Sequence, residues 1–182
     1  MKNQIRFFGL LHIQNNENKN LNFNSISQNQ KILVYLKNAI LLDKQLKYYG
    51  FKLILITNRK NYLARLLKEL NYVIALKSIK FNTFVPKKTH FYSCHFRVDV
   101  FKFFSKQKKT YSVLLDLDIL ILNNPKKILK FCKNEISLVN NISQNVIPAY
   151  GSKKILNNLK ILNPEINKIN WIGGDFFAGN SF

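Results

Sequence analysis

Acidic residues are scarce in this chain of 182 residues, with 9 Asp and Glu against 29 Lys and Arg. The formal net charge at pH 7 is therefore +20, which favours an anionic partner such as a nucleotide diphosphate, an acidic glycan or the inner face of a membrane. Arginine is also rare, at 4 of the basic residues, whereas proteins that bind nucleic acid rely on the arginine fork. The lysines form no basic arm or stripe, so no nucleic-acid partner is expected.

Cysteines and long apolar runs are equally few. Cys94 and Cys132 form neither a C-x-x-C motif nor a disulfide framework. No stretch approaches the roughly 18 apolar residues of a membrane span. The apolar segment at residues 7–11 is too short for a signal peptide and lacks a cleavage site of small residues. We therefore expect a cytoplasmic protein, with peripheral contact at an anionic inner membrane face left open.

The chain has enough apolar residues, 47% of the total, to form one folded domain over residues 1–182. Apolar patterning predicts strands and helices that alternate, which indicates an α/β protein with a mainly parallel sheet flanked by helices. The predicted strands cover residues 5–13, 52–57, 72–76, 111–122 and 136–139. The predicted helices cover residues 30–49, 62–70 and 90–104, with a short one from residue 125 to about 132.

The most apolar run, residues 111–122, contains two aspartates, Asp116 and Asp118. Side chains two residues apart on an extended strand share a face, and at ~4 Å and an effective dielectric near 20 such charges repel by about 4 kcal/mol. A divalent cation turns that repulsion into attraction, and carboxylate oxygens suit magnesium, manganese or calcium. The alternative is a strand end at which both aspartates simply reach solvent. In open α/β sheets, ligands bind beyond the carboxyl ends of such strands.

The order of motifs resembles that of nucleotide-sugar glycosyltransferases with the GT-A fold. Residues 114–125 read as an apolar strand, Asp-x-Asp, a second apolar stretch and Asn-Asn-Pro, which is similar to the metal-binding motif of that family. Residues 96–101, around Arg97, resemble the aromatic-Arg segment that precedes the metal strand in family 8-like members. Residues 173–180 resemble the glycine-rich segment on the donor-sugar and acceptor side. Residues 1–76 match only by strand and helix order.

This resemblance implies a donor, an acceptor and a metal. The donor would be a nucleotide-diphosphate sugar, with a UDP-sugar as the main candidate. The acceptor would be a glycan or a lipid-linked molecule in bacterial polysaccharide synthesis. A divalent cation, Mn²⁺ or Mg²⁺, would stabilise the charge that develops on the leaving phosphate. By the resemblance, Asp118 would ligate the metal directly, Asp116 would bind the metal or the nucleotide ribose, and Arg97 would bind the diphosphate.

The glycine-rich segment supplies the remaining candidates. Gly173 and Gly174 allow the backbone to approach a ligand closely. Asp175 would bind sugar hydroxyls or act as the catalytic base of an inverting reaction. The sequence leaves open whether Asp175 is only a turn aspartate. It also leaves open whether Arg97 only pairs with Asp99 on a helix surface.

Some features depart from the GT-A pattern. Many members take a third metal ligand, often His, from a later region, and no His follows His95 here. His90 and His95 are candidate ligands, but histidines beside aromatic residues more often belong to the core or surface. The glycine-rich segment is followed at once by Phe182, so we expect a chain truncated at its carboxyl end.

Two rival interpretations remain. A phosphatase of the haloacid-dehalogenase type also places Asp-x-Asp after an apolar strand, but usually near the amino terminus and followed by Gly-Thr or a similar hydroxyl residue. Here some 110 residues come first and Ile119 follows the motif. The other rival is a non-enzymatic basic protein that associates with RNA or membranes.

Overall fold

The structure, a computed structural model, describes residues 4–14, 27–86, 89, 92–127, 137–142, 151–169 and 172–180. These residues form an α/β fold in which helices flank one mixed six-stranded sheet, so the predicted α/β class is confirmed. Within the described ranges, no helix is both long and apolar enough to cross a membrane.

The sheet has a parallel part and an antiparallel edge. Its strands are β1 (Gln4–Leu11), β2 (Leu53–Thr57), β3 (Ala75–Ser78), β4 (Thr110–Leu115), β5 (Leu138–Asn141) and β6 (Ile172–Asn180). They lie in the order β3-β2-β1-β4-β6-β5. The first four in that order are parallel to one another, as predicted, whereas β6 is antiparallel to both β4 and β5.

Four α-helices are described, with a 3-10 helix at Tyr92–Phe96 leading into the third. They are α1 (Gln28–Tyr48), α2 (Lys60–Glu69), α3 (Arg97–Phe104) and α4 (Ser152–Leu162). Helix α1 begins with a capping box between Ser27 and Gln30, which satisfies two backbone N–H groups at its start. Gly50 follows the end of α1 with a φ of 82°, the left-handed conformation expected of a glycine that stops a helix.

Helices cover both faces of the parallel strands. Successive side chains of a strand point to opposite faces, and β1 follows this rule: Phe7 packs in the core with α1 and α2, whereas Phe8 packs with α3. Val100 and Phe104 of α3 are buried on that second face. Because both faces are covered, every residue of β4 is buried.

Strand β3 begins three residues later than predicted. Asn71 has a φ of 50°, which extends the turn after α2. The hydroxyl of Tyr72 donates to Asp43 Oδ2 at 2.9 Å, and this bond holds Tyr72 outside the sheet. Apolar spacing alone did not indicate that the tyrosine has this tertiary partner.

Strand β4 is shorter than predicted, and this corrects the expected arrangement of the aspartates. It ends at Leu115, and residues 117–118 form a turn, so Asp116 and Asp118 do not share the face of one extended strand. The turn forms because Leu117 packs back into the core against Gly9, and its exposed fraction is 5%. A Cβ atom on Gly9 would lie 2.5 Å from Leu117 Cδ2, so a larger residue there would displace the leucine side chain.

The other boundaries differ in smaller ways. The helix predicted over residues 90–104 consists of the 3-10 helix and α3, and residues 90 and 91 lie outside the described residues. A 3-10 turn covers residues 125–127, and the rest of the predicted helix to residue 132 lies outside the described part. The strand predicted at residues 136–139 is β5, two residues further along.

Candidate functional site

The candidate site lies at the carboxyl ends of β1 and β4. These strands are parallel neighbours in the sheet, and the helices that pack beside them, α1 and α3, cover opposite faces. In the sheet, β1 has β2 as its other neighbour, and β4 has β6 as its other neighbour. Such a junction in an α/β sheet leaves a crevice that binds ligands.

The turn after β4 places two carboxylates at this crevice. Leu117 anchors the turn in the core, while Asp118 beside it is exposed and Asp116 keeps 40% of its side chain accessible. The buried leucine thus separates two aspartates that remain in contact with solvent. This arrangement makes their oxygens available to a ligand.

Arg97 is the first residue of α3 and pairs with Asp116. Its guanidinium Nη2 donates to Asp116 Oδ1 across the edge of the sheet. The alternative partner considered from the sequence, Asp99, is instead buried and accepts the backbone N–H of Thr83 at 3.0 Å. Asp99 is therefore structural, and Arg97 belongs to the site.

Strand β6 brings the glycine-rich segment against the same turn. The backbone N–H of Asp116 donates to the carbonyl of Asp175 at 2.9 Å. A Cβ atom on Gly174 would collide with the Arg97 guanidinium, so the glycine leaves the space that this side chain occupies. Gly173 is buried, and a Cβ atom there would collide with the Asp175 carboxylate.

Asn140 on β5 is a site residue that the sequence pattern did not indicate. Its Nδ2 donates to Asp175 Oδ2 at 2.7 Å. The amide thereby orients one carboxylate oxygen of Asp175. The two residues are far apart in sequence, and only the pairing of β5 with β6 brings them together.

The charges around Asp116 do not cancel. Partial burial raises the pKa of Asp116 above its ordinary value; the Arg97 guanidinium lowers it, whereas Asp118 and Asp175 raise it. The net direction is upward, so the negative charge on Asp116 is disfavoured despite the arginine contact. An additional cation at this edge would relieve the repulsion among the three carboxylates.

The aspartate pair also shifts the pKa values of two further ionisable side chains. Burial raises the pKa of the Tyr35 hydroxyl, and Asp118 and then Asp116 add to that rise together with Cys94. Burial also raises the pKa of the Cys94 thiol, with Arg97 opposing the rise and both aspartates adding to it. Helix α1 and the 3-10 helix thus each place an ionisable side chain near the aspartate pair.

His12 follows the end of β1 and was not indicated by the sequence pattern. Its ring stacks on Phe96 with centroids 4.0 Å apart and meets the edge of Phe81. Burial, with the Arg59 charge, lowers the pKa of His12 to about 4, although Asp99 opposes the shift. His12 is therefore neutral at pH 7, and because Phe81 and Phe96 are distant in the sequence, no local signal marks it.

The described residues contain no cluster of three or more His, Cys, Asp or Glu side chains arranged to hold a metal ion. His95 is exposed and is not part of such a cluster, while His90 lies outside the described residues. Two carboxylates can still bind a hard cation when a ligand and water supply the remaining oxygens, as is usual for magnesium. Asp116 and Asp118 are the residues that could do so here.

Comparison with known proteins adds no identification. No protein-family model matches the chain, and no curated protein matches it significantly.

Proposed function

We propose that this protein is a metal-dependent glycosyltransferase with a GT-A-like fold. It would transfer a sugar from a nucleotide-diphosphate donor to a glycan or a lipid-linked acceptor. A UDP-sugar is the main candidate donor. The divalent cation would be Mn²⁺ or Mg²⁺, held by Asp116 and Asp118. The finer assignment to the GT-A fold, beyond α/β with a mixed sheet, is part of this proposal.

One observation carries the proposal: at the carboxyl edge of the sheet, Asp116 pairs with the Arg97 guanidinium and its backbone N–H donates to the carbonyl of Asp175, although the three residues come from different parts of the sequence. The resemblance had assigned these residues to the metal, the diphosphate and the sugar or acceptor. Structural residues chosen at random along a chain have no reason to meet at the junction where α/β proteins bind ligands.

The two aspartates would have different roles. Asp118 is exposed, and its carboxylate is available to ligate the cation. Asp116 forms an ion pair with Arg97, and its backbone N–H donates to β6. It therefore also fixes the position of the turn. The bound cation would neutralise the charge that the diphosphate gains as the bond to the sugar breaks.

Arg97 would bind the diphosphate oxygens. Its planar fork can donate to a phosphate and to Asp116 at the same time, whereas a lysine could not hold that geometry. The first turn of α3 positions it, and Gly174 leaves the space for its guanidinium.

Asp175 would bind the transferred sugar or accept the proton of the acceptor hydroxyl. Asn140 donates to Oδ2 of this carboxylate and so fixes its orientation. An inverting transferase requires such a base, and Asp175 is the candidate on this edge. The pairing of β5 with β6 provides a rigid support for it.

Calorimetric titration of UDP-glucose and UDP-galactose with and without Mn²⁺ tests the proposal. We expect binding that requires the metal and that weakens about tenfold or more in Asp118→Asn, because removal of a carboxylate ligand removes a charge-assisted contact. Glu69→Gln is the matched control, since Glu69 is an exposed acid at the end of α2.

Three outcomes would count against this function. Binding of the UDP-sugar that needs no metal and is unchanged in Asp118→Asn would exclude the cation bridge. Salt-sensitive binding to random RNA with no response to nucleotide sugars would favour the non-enzymatic basic protein. Metal-dependent hydrolysis of a simple phosphate ester, without transfer of sugar, would favour the phosphatase.

A further inference from the structure

A second pocket lies between the first turns of α1 and α2, beyond the carboxyl ends of β1 and β2. Its volume is about 510 Å³. None of its described lining residues is acidic, and two of the four arginines of the chain, Arg59 and Arg65, are among them. In a chain that otherwise uses lysine, this pair of guanidinium groups marks the pocket as a place for an anion.

The helix ends at this pocket add to its positive potential. The first turn of α1 and the first turn of α2 contain no acidic residue. The N-cap residue of α2 is Arg59, whose side chain makes no capping hydrogen bond, and Lys60 is the first residue of the helix. Cations at a helix amino terminus oppose the helix dipole, so a bound anion would stabilise this arrangement.

An unsatisfied donor lies in the same wall. The side-chain nitrogen of Gln14 is buried and has no hydrogen-bond partner among the described residues. The backbone carbonyl of Gln14 accepts from Gln28 Nε2 at 2.6 Å, which fixes the residue beside the start of α1. A buried donor without a partner costs free energy that an acceptor on a ligand would recover.

The remaining wall suits the organic part of a ligand. Ile13 and Ile32 are buried there, and the ring of Tyr62 lies next to Arg65, with its centroid 6.0 Å from the guanidinium carbon. We propose that this pocket binds the phosphoryl group of a small phosphorylated molecule, with Arg59 and Arg65 as its ligands. The site involves neither Asp116 nor Asp118 and requires no metal, so it goes beyond the glycosyl transfer proposed above.

Titration of the isotope-labelled chain with phenyl phosphate and with inorganic phosphate, both in EDTA, tests this site by NMR. We expect saturable shifts of amide signals at residues 28–32 and 59–65. In Arg59→Gln/Arg65→Gln the Kd should rise about tenfold or more, since both charge-assisted contacts are lost. Tighter binding of phenyl phosphate assigns the site to an organic phosphate, and equal binding of both assigns it to the free anion.

The control variants separate this site from the net charge and from the metal site. Lys106→Gln/Lys108→Gln removes two charges from exposed positions and should leave the Kd unchanged. Asp118→Asn should also leave it unchanged, whatever becomes of the glycosyltransferase proposal. Arg65→Lys keeps the charge at an exposed position and should weaken binding because the fork is lost, even if the double arginine variant does not fold. Equal weakening in the arginine and lysine double variants, or an unchanged Kd in Arg59→Gln/Arg65→Gln, would overturn the proposal.

Discussion

Asp116, the residue at the centre of the candidate site, interacts with one arginine and repels two other carboxylates. Its contact with Arg97 does not restore an ordinary pKa, because burial and the charges of Asp118 and Asp175 act in the opposite direction. Binding of a further cation at this site would therefore be electrostatically favourable. This imbalance, rather than the D-x-D spacing alone, is the physical reason to expect a divalent ion there.

His12 carries a pH dependence whose sign follows from its lowered pKa. The unfolded chain takes up this proton near pH 6.5, while the folded chain takes it up only near pH 4. The free energy of unfolding therefore keeps its full value above about pH 6.5. It decreases by about 3 kcal/mol as the pH falls towards 4, because the unfolded chain binds this proton more readily than the folded chain. We expect His12→Phe, which keeps an aromatic ring against Phe96, to remove this loss.

Urea unfolding of the wild type and of His12→Phe at about pH 7.5 and about pH 4.5 measures the effect. The difference in free energy of unfolding between the two pH values should be smaller in the variant. Parallel losses in both proteins would show that His12 is not the group that titrates.

At the scale of single residues, the sequence indicates some members of the site and not others. Asp116, Asp118 and Asp175 are conspicuous because the chain has so few acids, and Arg97 because it has so few arginines. Asn140 is one of 25 asparagines, so nothing in the sequence separates it from the rest. Its role depends on strand pairing that composition and spacing do not encode.

The turn between β4 and the second apolar stretch is the element on which the aspartate pair depends. Leu117 is buried between two solvent-accessible acids, and its packing against Gly9 sets the direction of the chain there. We expect Leu117→Ala to lower the free energy of unfolding by about 2–5 kcal/mol through loss of buried contacts. It should also weaken binding of Mn²⁺ with UDP, although both carboxylates remain.

Leu120→Ala is the matched control, because Leu120 lies three residues further on and is 59% exposed. Its effect on stability should stay within about 0.5 kcal/mol, with metal binding unchanged. Thermal unfolding and calorimetry on the two variants make the comparison. Equal effects in both would mean that Leu117 does not position the aspartates.

Elements with strong local patterns were predictable, and those defined by distant partners were not. Helix α1 has apolar residues at helical spacing, a capping residue at Ser27 and a stop at Gly50, and its observed bounds are close to those predicted. The end of β4 was placed seven residues too late, because residues 119–122 are apolar although they lie outside the strand. The antiparallel pairing of β6 with β4 also depends on residues that are far apart in the chain.

Across the whole molecule, a large net positive charge contrasts with a small acidic site. Seven of the nine acids lie in the described residues, and two of them, Asp118 and Asp175, are near enough to Asp116 to raise its pKa. The general field of +20 attracts an anionic donor, while the local carboxylates attract a cation. The two ligands of the proposed reaction, a nucleotide diphosphate and a divalent metal, have these opposite charges.

Paramagnetic broadening of amide signals by Mn²⁺ in the presence of UDP tests the central claim most directly, with Mg²⁺ as the diamagnetic reference. If Asp116 and Asp118 hold the metal, the signals of residues 116–118 and 174–175 broaden first, and Asp118→Asn abolishes this selectivity. Broadening centred on another group of acids, or equal broadening at residues 116–118 in wild type and Asp118→Asn, would contradict a metal-diphosphate site at this edge.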